Sequence, residues 1–148
     1  MPSQAVAAFW RTYTEAHDTY DVWHFADTEP VARHLLDLVL AGKKTATCGL
    51  LWEMETPNNP MPIDGGYSVL TDFAGTPHAI IQTIELRTLP FGSIDEAFAL
   101  AEGEGTYAQW RTLHWDYFTR RCEVLGRTCS EDMPVLCERF ALRFPGPA

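Results

Sequence analysis

A chain of 148 residues with a formal net charge of −9 is sized for one domain and is poorly suited to gripping long polyanions through bulk charge. No apolar run approaches the ~20 residues of a membrane span, since the stretch from Leu35 to Ala41 is broken by Asp37. The N-terminus has no basic segment leading into an apolar one, so no secretory signal is read and the expected location is the cytoplasm.

In chain order, Val6, Phe9, Trp10 and Tyr13 recur at helical spacing and predict a helix from Ser3 to about His17. Asp18 to Asp27 reads as an aromatic-rich connection. A second helix is expected to start near Pro30, with Val31, Leu35, Leu38 and Val39 on one face and Gly42 closing it in a left-handed conformation. Thr45 to Trp52 reads as a strand, and Pro57 to Gly66 as a loop. Tyr67 to Asp72 and His78 to Leu89 alternate as strands joined by a turn at Ala74-Gly75-Thr76-Pro77. Ser93-Ile94-Asp95-Glu96 has the spacing of a capping box for a short helix ending near Glu102. Thr106, with Gln109 three residues on, is expected to cap a helix running to about Arg121, and Val135 to Phe144 is the last expected strand. With no repeat or long linker, residues 1–148 are read as one α+β domain with mostly antiparallel strands.

Cysteines 48, 122, 129 and 137 form no C-x-x-C pair and no Cys/His zinc spacing, so they are read as buried free thiols. No Walker loop, G-x-G-x-x-G, H-E-x-x-H, EF-hand or G-x-S-x-G pattern is present, and no cofactor or metal is expected.

Three groups of residues carry chemical interest. Lys44 lies beside Thr45 and Thr47, and an amine whose pKa is lowered by burial can act as base to a hydroxyl. Strict strand alternation sets Lys44 opposite both threonines, so convergence requires a chain that is still turning after Gly42. The plain structural reading is a helix C-terminus finished by lysines that complement its dipole. In Glu102-Gly103-Glu104-Gly105, two carboxylates stand close together and the glycines permit a tight turn or a close approach; the plain reading is a solvated turn. Trp110 and His114, continued by Tyr117 or Phe118 and by Arg121, share a helical face that suits base stacking or, more simply, core packing.

Taken in order, Leu38-Val39-Leu40-Ala41-Gly42-Lys43-Lys44-Thr45-Ala46-Thr47, Pro90-Phe91-Gly92-Ser93-Ile94-Asp95-Glu96, Ala101-Glu102-Gly103-Glu104-Gly105, Trp110-Arg111-x-x-His114 and Cys137-Glu138-x-Phe140 resemble the ASCH domain family. The resemblance covers roughly residues 8 to 142 and is nearest to stand-alone bacterial members of this length. It implies a PUA-like fold, a small β-barrel with flanking helices and a cleft beside the Gly-x-Lys-x-x-Thr segment. The family is associated with RNA, and one small type hydrolyses the amide of N4-acetylcytidine. By that resemblance the catalytic residues fall on Lys44, Thr47 and Glu104, with Thr45, Glu102, Trp110, Arg111 and His114 expected against the substrate. The leading expectation is therefore amide hydrolysis of an N4-acylated cytidine. The alternatives are a ribonuclease on single-stranded RNA, with Arg111, Arg120, Arg121 and Arg127 as a basic strip, and a non-catalytic RNA-binding module. The expected partner is a nucleoside or single-stranded RNA, with no membrane and no obligate protein partner. The amidohydrolase type is shorter, and its segment after the threonine does not match Cys48-Gly49-Leu50-Leu51.

Overall fold

The computed structural model describes residues 3–14, 19–57, 59 and 61–146. The first helix, α1 (Gln4–Tyr13), is capped by Ser3, whose hydroxyl accepts from the Val6 amide at 3.1 Å. It buries Val6 and Trp10 against Val69 and Ile80 of the sheet. Thr14 is extended and ends the helix at Tyr13, and the expected continuation to His17 falls on residues 15–18, outside those described.

The segment expected to be a connection contains a short strand, β1 (Tyr20–Trp23). Pro30 lies in the first turn of α2 (Glu29–Leu40), whose Ala32, Leu35, Leu36 and Val39 are buried. Leu36 is fully buried, and sequestering such a side chain contributes about 1.5–3 kcal/mol. Gly42 has φ +76°, the left-handed closure its position predicts.

The strand expected over Thr45 to Trp52 is shorter: β2 (Ala46–Leu50) turns directly into α3 (Leu51–Met54). There Trp52 lies under the Arg127 guanidinium and Glu53 pairs with Arg121, which draws the chain over the long helix. The remaining strands are β3 (Tyr67–Thr71), β4 (Pro77–Pro90) and β5 (Pro134–Phe144). Between β4 and β5 lie α4 (Glu96–Ala101) and α5 (Tyr107–Leu125).

The Ser93-x-x-Glu96 box does not form. Phe91–Ser93 is a 3-10 turn and Ile94 is buried and extended, so Asp95 becomes the cap and accepts from the Phe98 amide at 2.9 Å. The Thr106–Gln109 capping box does form, and α5 continues beyond Arg121 to Leu125, where Gly126 closes it at φ +69°.

Among the described residues, five strands form one sheet in the order β1-β3-β4-β5-β2. β1 runs parallel to β3, and the other neighbours are antiparallel. The architecture is the expected α+β fold with flanking helices, but the sheet is open rather than a closed barrel. β1 and β2 are its two edges, and the side chains at their ends line a common cavity where closing ladder bonds would have to run. One core lies under α5 around Trp110, Phe118, Phe91, Leu50 and Val135. A second lies under α2 around Leu36, Leu70, Ile81 and Phe140. The cleft opens between them.

Candidate active site

The chain is still turning when it reaches Lys44. The amides of both Lys43 and Lys44 bond the Leu38 carbonyl, at 2.9 and 3.1 Å, so Lys44 precedes the regular alternation of β2. Thr45 then anchors the strand: its amide donates to the Ala101 carbonyl at 2.8 Å, and its carbonyl accepts from Phe140 at 3.1 Å. Against this strap lies the turn after α4. Gly103, at φ +75°, passes so close that a Cβ there would sit 2.6 Å from the Lys43 carbonyl oxygen. Only glycine tolerates both the dihedral and the approach.

These two backbones bring Lys44 and Glu102 together. Lys44 Nζ donates to Glu102 Oε1 at 3.1 Å and stands 3.6 Å from Glu104 Oε2. Lys44 and Glu102 side chains are each 1 % exposed, whereas that of Glu104 is 14 % exposed. The Lys44 ammonium also lies 5.4 Å from the centre of the Phe25 ring. Burial on this scale is tolerable for charges only when they are paired and hydrogen-bonded.

The other Glu102 oxygen is equally engaged. Oε2 accepts from Trp110 Nε1 at 2.6 Å and from the Cys48 thiol at 3.2 Å, with His114 Nε2 at 3.6 Å. Burial pushes the Glu102 carboxyl up, but Lys44 foremost, then His114 and Trp110, outweigh it and hold it below the usual carboxylate range. Burial pulls His114 down, yet Glu102 and then Glu104 raise it overall. Burial and the Glu102 charge push the Cys48 thiol well up.

Lys44, Thr47, Cys48, Glu102, Glu104 and His114 all line a cleft of about 400 Å³, closed on other sides by Trp23, Phe25, Tyr117 and Arg120. Through Trp23, His24, Thr47 and Cys48 it adjoins a second cavity of about 200 Å³ that holds Asp21, Glu53 and Glu138.

The residues singled out in the sequence are thus partly gathered. Lys44, Thr47, Glu102, Glu104 and His114 share the cleft. Trp110 is fully buried behind Glu102, stacked at 5.7 Å on Phe91 and 4.4 Å on His114. Arg111 points elsewhere, pairing with Glu131 at 2.7 Å over the Phe91 ring, and Arg121 pairs with Glu53. Thr45 is exposed, its hydroxyl 3.4 Å from the Ala101 carbonyl. Cys48, expected as a plain buried thiol because it has no neighbouring cysteine or histidine in sequence, is instead half-buried, as is Cys129, and its partners are 54 and 66 positions away.

The ASCH domain model matches residues 21–142. An ASCH domain from Lactobacillus crispatus JV V101 superposes with a TM-score of 0.87 at 28% identity, covering 95% of each chain. Protein EF3133 from Enterococcus faecalis V583, assigned to a domain family of unknown function (DUF984), superposes with a TM-score of 0.84 at 29% identity, covering 94% of this chain and 88% of that one. No curated protein matches. The open sheet, the Gly42–Thr47 strap, the Ala101–Gly105 turn and these matches together place the chain in the ASCH domain family.

Proposed function

We propose that the cleft hydrolyses the amide bond of an N4-acylated cytosine nucleoside. The observation that carries this reading is the buried Lys44 ammonium, shared by Glu102 and Glu104 on the wall of a cleft that Thr47 also lines. The resemblance to the amidohydrolase type supplies the substrate class, and the size of the cleft agrees: small-molecule sites run to about 300–1,000 Å³.

Glu102 holds Lys44, and the more exposed Glu104 takes its proton. Lys44 passes a proton to Glu104 and accepts one from the Thr47 hydroxyl, or from a water beside it. The oxygen adds to the acyl carbonyl carbon. As the C–N bond breaks, the exocyclic nitrogen of cytosine receives the proton held by Glu104 and leaves as the free amine. Where Thr47 attacked, water then hydrolyses the resulting ester, releasing the carboxylic acid and restoring the hydroxyl.

A nucleoside suits this cleft better than an RNA strand. Its walls carry Asp27, Glu102, Glu104 and Asp116 against Lys44 and Arg120, an excess of acid that opposes phosphate tracking. The test is product analysis with N4-acylcytidines of increasing acyl length beside unstructured RNA. Free cytidine with intact RNA supports the reading. RNA fragments with no cytidine would replace it with a ribonuclease, and binding without any product would replace it with a non-catalytic module.

A further inference from the structure

Cys48 plays no part in the proposed hydrolysis, yet its thiol faces the Glu102 carboxylate, which also takes Lys44 and Trp110 as donors. The ligand atoms of Cys48, Glu102 and His114 lie within 4.8 Å of one another. Cys48 Sγ is 3.2 Å and His114 Nε2 is 3.6 Å from the same Glu102 oxygen, Oε2. A tetrahedral zinc ion with bonds of about 2.0–2.3 Å holds its ligand atoms roughly 3.3–3.8 Å apart. The two separations from Glu102 Oε2 already stand near that spacing, and the third is within 4.8 Å.

Their surroundings are built for the same purpose. His114 Nδ1 lies 2.9 Å from the Trp110 carbonyl, which can only accept, so Nδ1 carries the hydrogen and Nε2 is the nitrogen turned to the cluster. A ring nitrogen fixed by a backbone carbonyl on its far side is the usual setting of a metal-binding histidine. Trp110 Nε1 and Lys44 Nζ orient the Glu102 carboxylate from two sides and leave the direction of Cys48 and His114 free for an ion. Glu104 Oε2, 3.8 Å from His114 Nε2, borders the open side, where it or a water completes the coordination.

Charge points the same way. A divalent cation and the Lys44 ammonium together balance the Glu102 and Glu104 carboxylates and the Cys48 thiolate, because coordination displaces the thiol proton, and any proton on His114 Nε2, into solvent. Thiolate and imidazole together favour zinc-like ions over magnesium or calcium.

We propose that Cys48, Glu102 and His114 form a binding site for a zinc-like divalent cation, open to the cleft beside Thr47. An ion there shares Glu102 with Lys44, so the loaded and empty proteins present different walls to a ligand. The proposal does not depend on the acylcytidine reading.

The test is a titration of the chelator-treated full chain with Co²⁺, followed by absorption. Saturation at one ion per chain is expected, with a thiolate-to-cobalt charge-transfer band that Zn²⁺ displaces. Cys48→Ser, near-isosteric with the native side chain, should lose the band and bind at least about tenfold more weakly. His114→Gln should weaken binding comparably while keeping the band at high Co²⁺, and Cys129→Ser should match the wild type. No saturable band in the wild type, a band that survives Cys48→Ser, or a band lost in Cys129→Ser would overturn the assignment.

Discussion

Lys44 Nζ stands 3.1 Å from Glu102 Oε1, with only 1 % of either side chain open to solvent. Removing one member of such a pair strands the other as a buried charge and costs about 3–5 kcal/mol. Urea denaturation should therefore show Lys44→Met strongly destabilised, and the double variant Lys44→Met/Glu102→Gln less so. A double variant as unstable as the sum of its singles would mean that the pair is not coupled.

Acid should act on this pair in a defined window. The folded Glu102 carboxyl lies below its ordinary value of 4.5, so its stabilising contribution is present above that value and fades as pH falls through the folded one. Glu138 behaves in the opposite sense. Burial raises its carboxyl against the 2.6 Å hydrogen bond from Thr83, so the advantage of its protonated form exists in acid and is lost as pH rises through the folded value. Thermal melts should show Glu138→Gln stabilised at pH 7, with the gain vanishing near pH 4.

Gly103 sets how closely the two halves of the site approach. Gly103→Ala combines a left-handed φ with a 2.6 Å clash against the Lys43 carbonyl, a backbone atom with little room to yield. A strained position of this kind costs about 1–3 kcal/mol. The Lys44 strap must then move away from Glu102, so turnover should fall by more than the loss of folded protein accounts for. Unchanged turnover per folded molecule would show that the close approach is unnecessary.

Trp110 acts on the site through its indole nitrogen. Trp110→Phe retains the ring stacked between Phe91 and His114 but deletes the 2.6 Å hydrogen bond to Glu102. A hydrogen bond to a charged group contributes about 1.5–3 kcal/mol. The variant should melt earlier, and its loss of stability in acid should be smaller and complete at a higher pH, since one group that lowers the folded Glu102 carboxyl is gone.

Much of this arrangement was legible in the chain because it is local. Gly42 as a left-handed closure, Pro30 in a first turn and the Thr106–Gln109 box each depend on neighbours within a few residues. What escaped depends on distant pairing. β1 is four residues long and exists through its parallel register with β3, 47 positions away at Tyr20–Tyr67. The open edge between β1 and β2 cannot be read from strand patterns, which are the same in a sheet and in a barrel. Strict alternation separated Lys44 from Thr47, whereas the Leu38 carbonyl keeps the chain turning through Lys44. Glu102 and Glu104 read alike in sequence as acids of one turn. The depth of Glu102 comes from Lys44, Cys48 and Trp110, gathered from the turn before β2, from β2 and from α5.

The most direct measurement is the rate of cytidine release from N4-acetylcytidine by the wild type and by Lys44→Met, each confirmed as folded by near-ultraviolet circular dichroism at the assay temperature. The wild type should release cytidine and acetate in equal amounts, and folded Lys44→Met should lose activity by at least about a hundredfold, the scale of a lost proton-transfer group. Equal rates for the two proteins, or no cytidine from the wild type, would contradict the role assigned to Lys44.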